Sequence, residues 1–379
     1  MHSTSELRVL GVSVPDVSDR MQLQPAGKWS QFFGALAQQC DLVDVIQPKL
    51  GAVSQGVTLA RNFHPRIPTW KARAGFNQER VRKLTEQVQR GLEPYVGEYD
   101  LIMQLQTLCA PRFERAGSPY AIYTDNTMAL TQRVFPSGAP ISTSAAQRWI
   151  EFEAQVCRSA TAVFTLSEFA RRSVIDDYGC SPDSVAAVGG GTNQLTASIA
   201  GKSYGTARAL FVGLAFERKG GSVLLEAWPI VRSHVPAAEL IITGPKRQPV
   251  KELPAGVEWV GRADRTRLAQ LYQSASVFVL PSLFEPWGFV FFEAMGYGLP
   301  CIGTSCCAMP EIIEDGVTGR LVPPRDPESL AAALVEVLAD PDKAAAMGHA
   351  AHTHVLHGNT WNDVLDRMFA HPALAAISQ

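Results

Sequence analysis

Short apolar runs that do not alternate with polar residues recur along this chain, and helical patterns separate them. Ser276-Val277-Phe278-Val279-Leu280 is the clearest run. A strand with one wet face alternates, whereas a strand buried on both faces reads as a continuous apolar stretch. Strands of that kind lie parallel under two layers of helices, because a parallel neighbour is reached only through a crossover. Further strands are expected over 7–14, 42–46, 100–104, 120–123 and 162–166, with helices over 29–39 and 168–178 between them. Ser167 is placed to cap the second of these helices, and Asp264, Asp326 and Asp340 mark later helix starts, the last two followed by proline. The pattern predicts an α/β protein with doubly wound parallel sheets.

At 379 residues the chain is long for one such sheet and suits two Rossmann-like halves. The polar stretch over 194–206 is the best linker, which gives an N-terminal domain over 1–195 and a C-terminal domain over 207–355. With 46% hydrophobic and 18% charged residues the composition is that of a soluble globular protein. A net charge of −2 offers no electrostatic reason to expect nucleic acid as a partner. The first residues lack the basic-then-apolar layout of a signal peptide, and no apolar stretch of ~20 residues could span a bilayer. Seven scattered cysteines fit a reducing cytoplasm better than a disulfide framework. Adjacent Cys306 and Cys307 read as buried loop thiols. His349, His352, His354 and His357 do not share one helical face and read as a surface helix end. Residues 71–90 read as one basic amphipathic helix with Val81, Leu84 and Val88 inward. That helix is a solvated face first and a peripheral membrane contact second.

After the run 276–280, Pro281 and Ser282 break the strand, and residues 288–295 read as a helix closed by Gly296 and Gly298. Two carboxylates, Glu285 and Glu293, bracket seven uncharged residues there. Both lie just beyond the C-terminal end of a core strand, where open α/β sheets bind ligands. A helix starting near Gly288 offers backbone N–H groups at Gly288, Phe289 and Val290 and its positive dipole end to an anion. Glu293 lies five residues on, about 7 Å at 1.5 Å per residue. A diphosphate at the helix start would leave a ribose near Glu293, whose two oxygens suit vicinal hydroxyls. Glu285 would face the group on the other phosphate. The arrangement suits a nucleotide-sugar.

These residues resemble the E-x7-E signature of retaining glycosyltransferases with the GT-B fold, most like the family-4 type. Phe211-Val212-Gly213, Arg218-Lys219-Gly220, Ile241-Ile242-Thr243-Gly244-Pro245 and Glu311 to Gly319 follow the same family in order. The resemblance implies two Rossmann-like domains facing a cleft, with residues 356–379 crossing back to the first domain. It implies that Gly213, Arg218, Lys219, Glu285, Gly288, Phe289, Val290 and Glu293 bind the donor. Arg218 and Lys219 would neutralise the departing diphosphate, so neither cofactor nor metal is expected. Family members often carry arginine directly after the first-strand glycine. Leu214 stands there, so that role is carried to Arg218. The base is expected near Gly261 and Arg262.

In the first domain the family places a histidine after the strand that here ends in Tyr123-Thr124. Asp125 or Asn126 occupies that place, and Asp125 is the candidate for accepting a proton or a sugar hydroxyl; the other reading is a turn capping the next helix. Gly27, in Pro25-Ala26-Gly27-Lys28-Trp29, resembles the family's glycine loop. The expected reaction moves a sugar from a nucleotide diphosphate-sugar to an acceptor hydroxyl on a glycan, lipid or small molecule. A hydrolase or phosphorylase on the same scaffold, or a sugar-nucleotide-binding protein without activity, stays open.

Overall fold

The computed structural model describes residues 7–14, 28–111, 119–192, 199–244, 247–248 and 250–377. Gly27 lies outside them. The chain divides into two compact units, one formed by Met1–Gly191 with Trp361–Gln379, the other by Thr192–Thr360.

The first unit holds β1 (Arg8–Ser13), β2 (Asp41–Ile46), β3 (Leu101–Leu105), β4 (Tyr120–Thr124), β5 (Ala162–Thr165) and β6 (Val185–Ala187). They form one parallel sheet in the order β2-β1-β3-β4-β5-β6. β3, β4 and β5 are buried at every position, as their continuous apolar sequence requires. Leu10, Val12, Ile102, Ile122 and Val163 are fully buried in one cluster. Each such side chain contributes roughly 1.5–3 kcal/mol relative to exposure.

The helix Trp361–Phe369 belongs to this unit. Trp361 meets Phe32 edge-on at 5.7 Å between ring centroids. A Cβ on Gly191 would stand 2.6 Å from the Trp361 Cα, so only glycine allows that approach. Arg367 Nε donates to the Val188 carbonyl at 2.8 Å.

The second unit holds β7 (Arg208–Val212), β8 (Glu239–Thr243), β9 (Val257–Gly261), β10 (Val277–Val279), β11 (Cys301–Thr304) and β12 (Gly319–Val322). All are parallel, in the order β12-β11-β10-β7-β8-β9. The sheet is wound outward from its middle in both directions, and the winding reverses between β7 and β10. A crevice opens at such a point because the two following loops leave toward opposite faces. Residues 199–206 pack into this unit: Tyr204 is buried and its hydroxyl donates to the Gly298 carbonyl at 2.7 Å.

Two expectations are corrected. Residues 71–90 are not one helix: Ile67–Gly75 ends, and Gln78–Leu92 starts anew. Asn77 makes the break, its Oδ1 accepting the Arg80 N–H at 2.9 Å, because a short polar side chain competes with the helix for backbone partners. Cys306 and Cys307 are only half-buried, whereas the other five cysteines are buried. They sit past the end of β11, where the chain leaves the core.

Candidate active site

The loop after β7 is shaped by glycines. Gly213 N–H donates to the Thr243 carbonyl at 3.0 Å. Gly244 has φ +138, and a Cβ there would lie 2.1 Å from the Gly213 oxygen. The ends of β7 and β8 therefore close together only because Gly244 carries no side chain. Gly220 begins the helix Gly221–His234 at φ +74, and a Cβ on it would lie 1.9 Å from the Pro281 oxygen. This approach seats the β7 loop against the β10 loop, and the Leu283 N–H donates to the Arg218 carbonyl at 2.9 Å.

Three expected residues meet at this seam. Lys219 Nζ donates to Glu285 Oε2, and Arg218 Nη1 stands 3.7 Å from the same oxygen. Arg218 Nη1 also donates to the Phe284 carbonyl at 2.6 Å, and Ser282 Oγ to Glu285 Oε2 at 3.4 Å. The Lys219 and Glu285 side chains are 12% and 6% exposed, so the pair is held largely out of water. Burial draws the Lys219 ammonium below its usual range, with Glu285 pulling the other way. Two cations oppose one carboxylate, which leaves positive charge for an incoming anion.

Glu293 lies on the helix Phe289–Gly296, which Gly288 caps. A Cβ on Gly288 would meet the Phe291 ring at 2.5 Å, so the helix start is tight against its own first turn. Phe289 and Val290 form that turn, next to Glu285 in sequence. Glu293 is half-buried, and Tyr272 Oη donates to its Oε2 at 3.2 Å. Burial pushes the Glu293 carboxyl up, while Tyr272, Arg265 and Lys219 pull it back in part. Tyr272 itself stacks on Tyr297 at 5.2 Å. Sequence reasoning missed Tyr272 and Ser282. Ser282, three residues before Glu285, had a local signal, but Tyr272 had none, since only the fold brings it to the helix.

Gly261 ends β9 at φ +68, and its oxygen accepts from Gly244 N–H at 2.9 Å and Thr243 Oγ1 at 2.8 Å. It thus stands beside the end of β8. Arg262 follows, half-buried, and its Nε is buried without a hydrogen-bond partner. In the first unit Asp125 Oδ1 accepts from Gln106 Nε2 at 3.1 Å. Asn126 Nδ2 donates to Thr131 Oγ1 at 2.7 Å, and its Oδ1 is buried with no partner. Thr127, not Asp125 or Asn126, caps the helix Met128–Val134, its hydroxyl accepting the Leu130 N–H at 3.1 Å. The capping reading of Asp125 and Asn126 is thereby corrected. Among the described residues no group of three or more His, Cys, Asp or Glu side chains could hold a metal ion. Nor is any described helix long and apolar enough to cross a membrane.

Residues 206–340 match the family model described as glycosyl transferases group 1. This stretch is similar to the group 1 glycosyltransferases. The match to the family covers β7 to β12, and so contains every expected donor-side residue from Gly213 to Glu293. Glycogen synthase of Mycobacterium tuberculosis is 32% identical over 168 residues, covering 42% of this chain and 41% of that protein. The chain spans less than two thirds of the length of the curated relatives it matches first. Among solved structures, sucrose-phosphate synthase from Thermosynechococcus elongatus superimposes with a TM-score of 0.72 at 19% identity. That match covers 98% of this chain and 100% of the other. The Anabaena protein HepE, in complex with UDP and glucose, superimposes with a TM-score of 0.67 at 17% identity, over 96% of this chain and 98% of that one. These likenesses establish the GT-B fold.

Proposed function

We propose that this chain transfers a sugar from a nucleotide diphosphate-sugar to an acceptor hydroxyl with retention at the anomeric carbon. The observation that carries the reading is the joining of Arg218, Lys219 and Glu285 at the point where the second sheet reverses its winding. The diphosphate gains charge as the sugar–oxygen bond breaks. A buried ammonium and a guanidinium already aimed at that place need little reorganisation to stabilise it. Lys219 then divides its hydrogens between Glu285 and phosphate, which leaves a Glu285 oxygen for a sugar hydroxyl. The N–H groups at Gly288, Phe289 and Val290 complete the anion site, and Glu293 holds the ribose.

With two cations supplied by the chain, the charge on the leaving group is met without a divalent ion, and metal independence is part of the proposal. Gly261 and Arg262 are assigned to the base, Arg262 because its buried Nε lacks a partner. Asp125 is carried forward as the first unit's candidate for a proton or a hydroxyl. Asn126 stands beside it with an unsatisfied oxygen. The proposed setting is cytoplasmic, and the acceptor is a hydroxyl-bearing glycan, lipid or small molecule.

The test is thermal unfolding with UDP, GDP, ADP and dTDP, each with and without EDTA. A nucleotide at ~100 times its dissociation constant adds about 2.7 kcal/mol to what it binds. One nucleotide standing out, indifferent to EDTA, is the expected result. No shift from any of them overturns the donor site.

A further inference from the structure

Cys306 and Cys307 are adjacent in sequence and follow β11 directly. Of the seven cysteines, these two alone are half-exposed; Cys40, Cys109, Cys157, Cys180 and Cys301 are buried. Burial also pushes the thiols of those five up, to about 12 for Cys40 and Cys109 and about 11 for Cys180, so they are poor nucleophiles. The thiols of these adjacent residues influence one another's protonation. Thr304 Oγ1 stands 3.2 Å from Cys306 Sγ. Cys307 first and Thr304 next draw the Cys306 thiol below its usual range, which favours its thiolate, while Cys306 raises Cys307. The backbone at Cys307 is held at φ +55, the left-handed region a non-glycine residue rarely occupies.

The pair is tied to the loop that bears Glu285. Cys306 Sγ–H points at the Ser282 carbonyl at 3.5 Å and the Leu283 carbonyl at 3.9 Å. Next along, the Ala308 N–H faces the Glu285 carbonyl oxygen at 3.4 Å.

We propose that Cys306 and Cys307 form a thiol–disulfide exchange site whose substrate is a low-molecular-weight disulfide, and that its oxidation disturbs the seat of Glu285. The Cys306 thiolate attacks one sulfur of that disulfide and expels one thiolate. Cys307 then loses its proton to the expelled thiolate, attacks Cys306 Sγ and expels the second. The two cysteines are oxidised to one disulfide, and the small disulfide is reduced to two thiols. Adjacent Cα atoms are about 3.8 Å apart, closer than most disulfides prefer, so the bond is strained and readily reduced again. A bond of that kind serves regulation rather than structure. Its effect on Glu285 rests on the donor-site reading above; the exchange chemistry does not.

The experiment treats the full chain, under native conditions, with a dipyridyl disulfide and follows both pyridinethione release and intact mass. The expected result is about two equivalents released per chain, with loss of ~2 Da and no retained adduct. Cys307→Ser is expected to release about one equivalent and to keep the pyridylthio group, because nothing resolves it. Wild-type protein that keeps its adduct overturns the exchange site, whatever the chain's activity. The second arm assays transfer before and after oxidation. A severalfold loss, restored by dithiothreitol and absent from Cys306→Ser, supports the link to Glu285. Unchanged turnover in protein shown by mass to be oxidised overturns that link, and inactivity of the untreated protein counts against the donor-site reading alone.

Discussion

Lys219 and Glu285, 66 residues apart in the chain, form a buried ion pair at the seam between the loops after β7 and β10. A paired buried charge is costly to break from one side, because the remaining partner stays desolvated and alone. With Arg218 beside the pair, the cluster keeps the net positive charge on which the proposed donor site depends.

Lys219→Ala is expected to reduce turnover by about 10³-fold, the usual scale for losing a preorganised charge at a departing anion. It should also destabilise the protein by about 3 kcal/mol, since Arg218 at 3.7 Å is a poor substitute partner for Glu285. Initial rates and urea unfolding measure the two effects separately. Near-normal turnover would remove Lys219 from the proposed chemistry.

Tyr272→Phe tests whether Glu293 must be aimed. The hydroxyl that donates to Glu293 Oε2 is removed, while the ring keeps its stacking on Tyr297. Losing one hydrogen bond of about 1–1.5 kcal/mol is expected to raise the donor KM by roughly tenfold and leave kcat within about twofold. An unchanged KM would show that Glu293 needs no help from Tyr272.

Gly220→Ala should be among the most damaging single changes to the second unit. The residue sits at φ +74, and the new Cβ would lie 1.9 Å from a backbone oxygen. Backbone cannot yield as a flexible side chain can, so a loss of about 3 kcal/mol or more is expected. A melting temperature within a degree or so of wild type would contradict the close contact of the two loops.

Asp100→Asn should flatten the acid limb of the stability profile. Asp100 accepts from the Arg8 N–H at 3.0 Å, from Arg8 Nε at 3.2 Å and from Arg8 Nη2 at 2.7 Å. The Arg8 guanidinium first, then its backbone N–H, holds the carboxyl below the usual aspartate range. Between the folded and the ordinary value the unfolded chain binds more protons, so stability falls as pH drops through that interval. The contribution is complete above the ordinary aspartate value. Unfolding followed from neutral pH down to the acid range should show the variant losing less stability than wild type on the way down. Equal slopes would remove Asp100 as a source.

Much of the fold was legible because burial on both faces leaves a direct trace in the strands, as in 276–280. The caps at Ser167, Asp264, Asp326 and Asp340 were legible for a similar reason: each side chain accepts an N–H three residues ahead. The break at Asn77 was harder to see. The apolar spacing of Val81, Leu84 and Val88 continues a pattern that the basic residues before it also fit, and only one side-chain hydrogen bond decides where the helix restarts.

The sequence by itself determined the class of fold, the carboxylates Glu285 and Glu293 and the cations Arg218 and Lys219, because periodicity and local spacing are properties of neighbouring residues. Only the tertiary structure decided which of them touch. Lys219 reaches Glu285 because the winding of the second sheet reverses between β7 and β10. Tyr272 reaches Glu293 and the Cys306 thiol reaches the Glu285 loop through packing of the elements around β10 and β11. Gly220 and Gly244 then let backbones approach where any side chain would hold them apart. Contacts between distant segments are set by packing against a common core, and no local pattern in the chain records them.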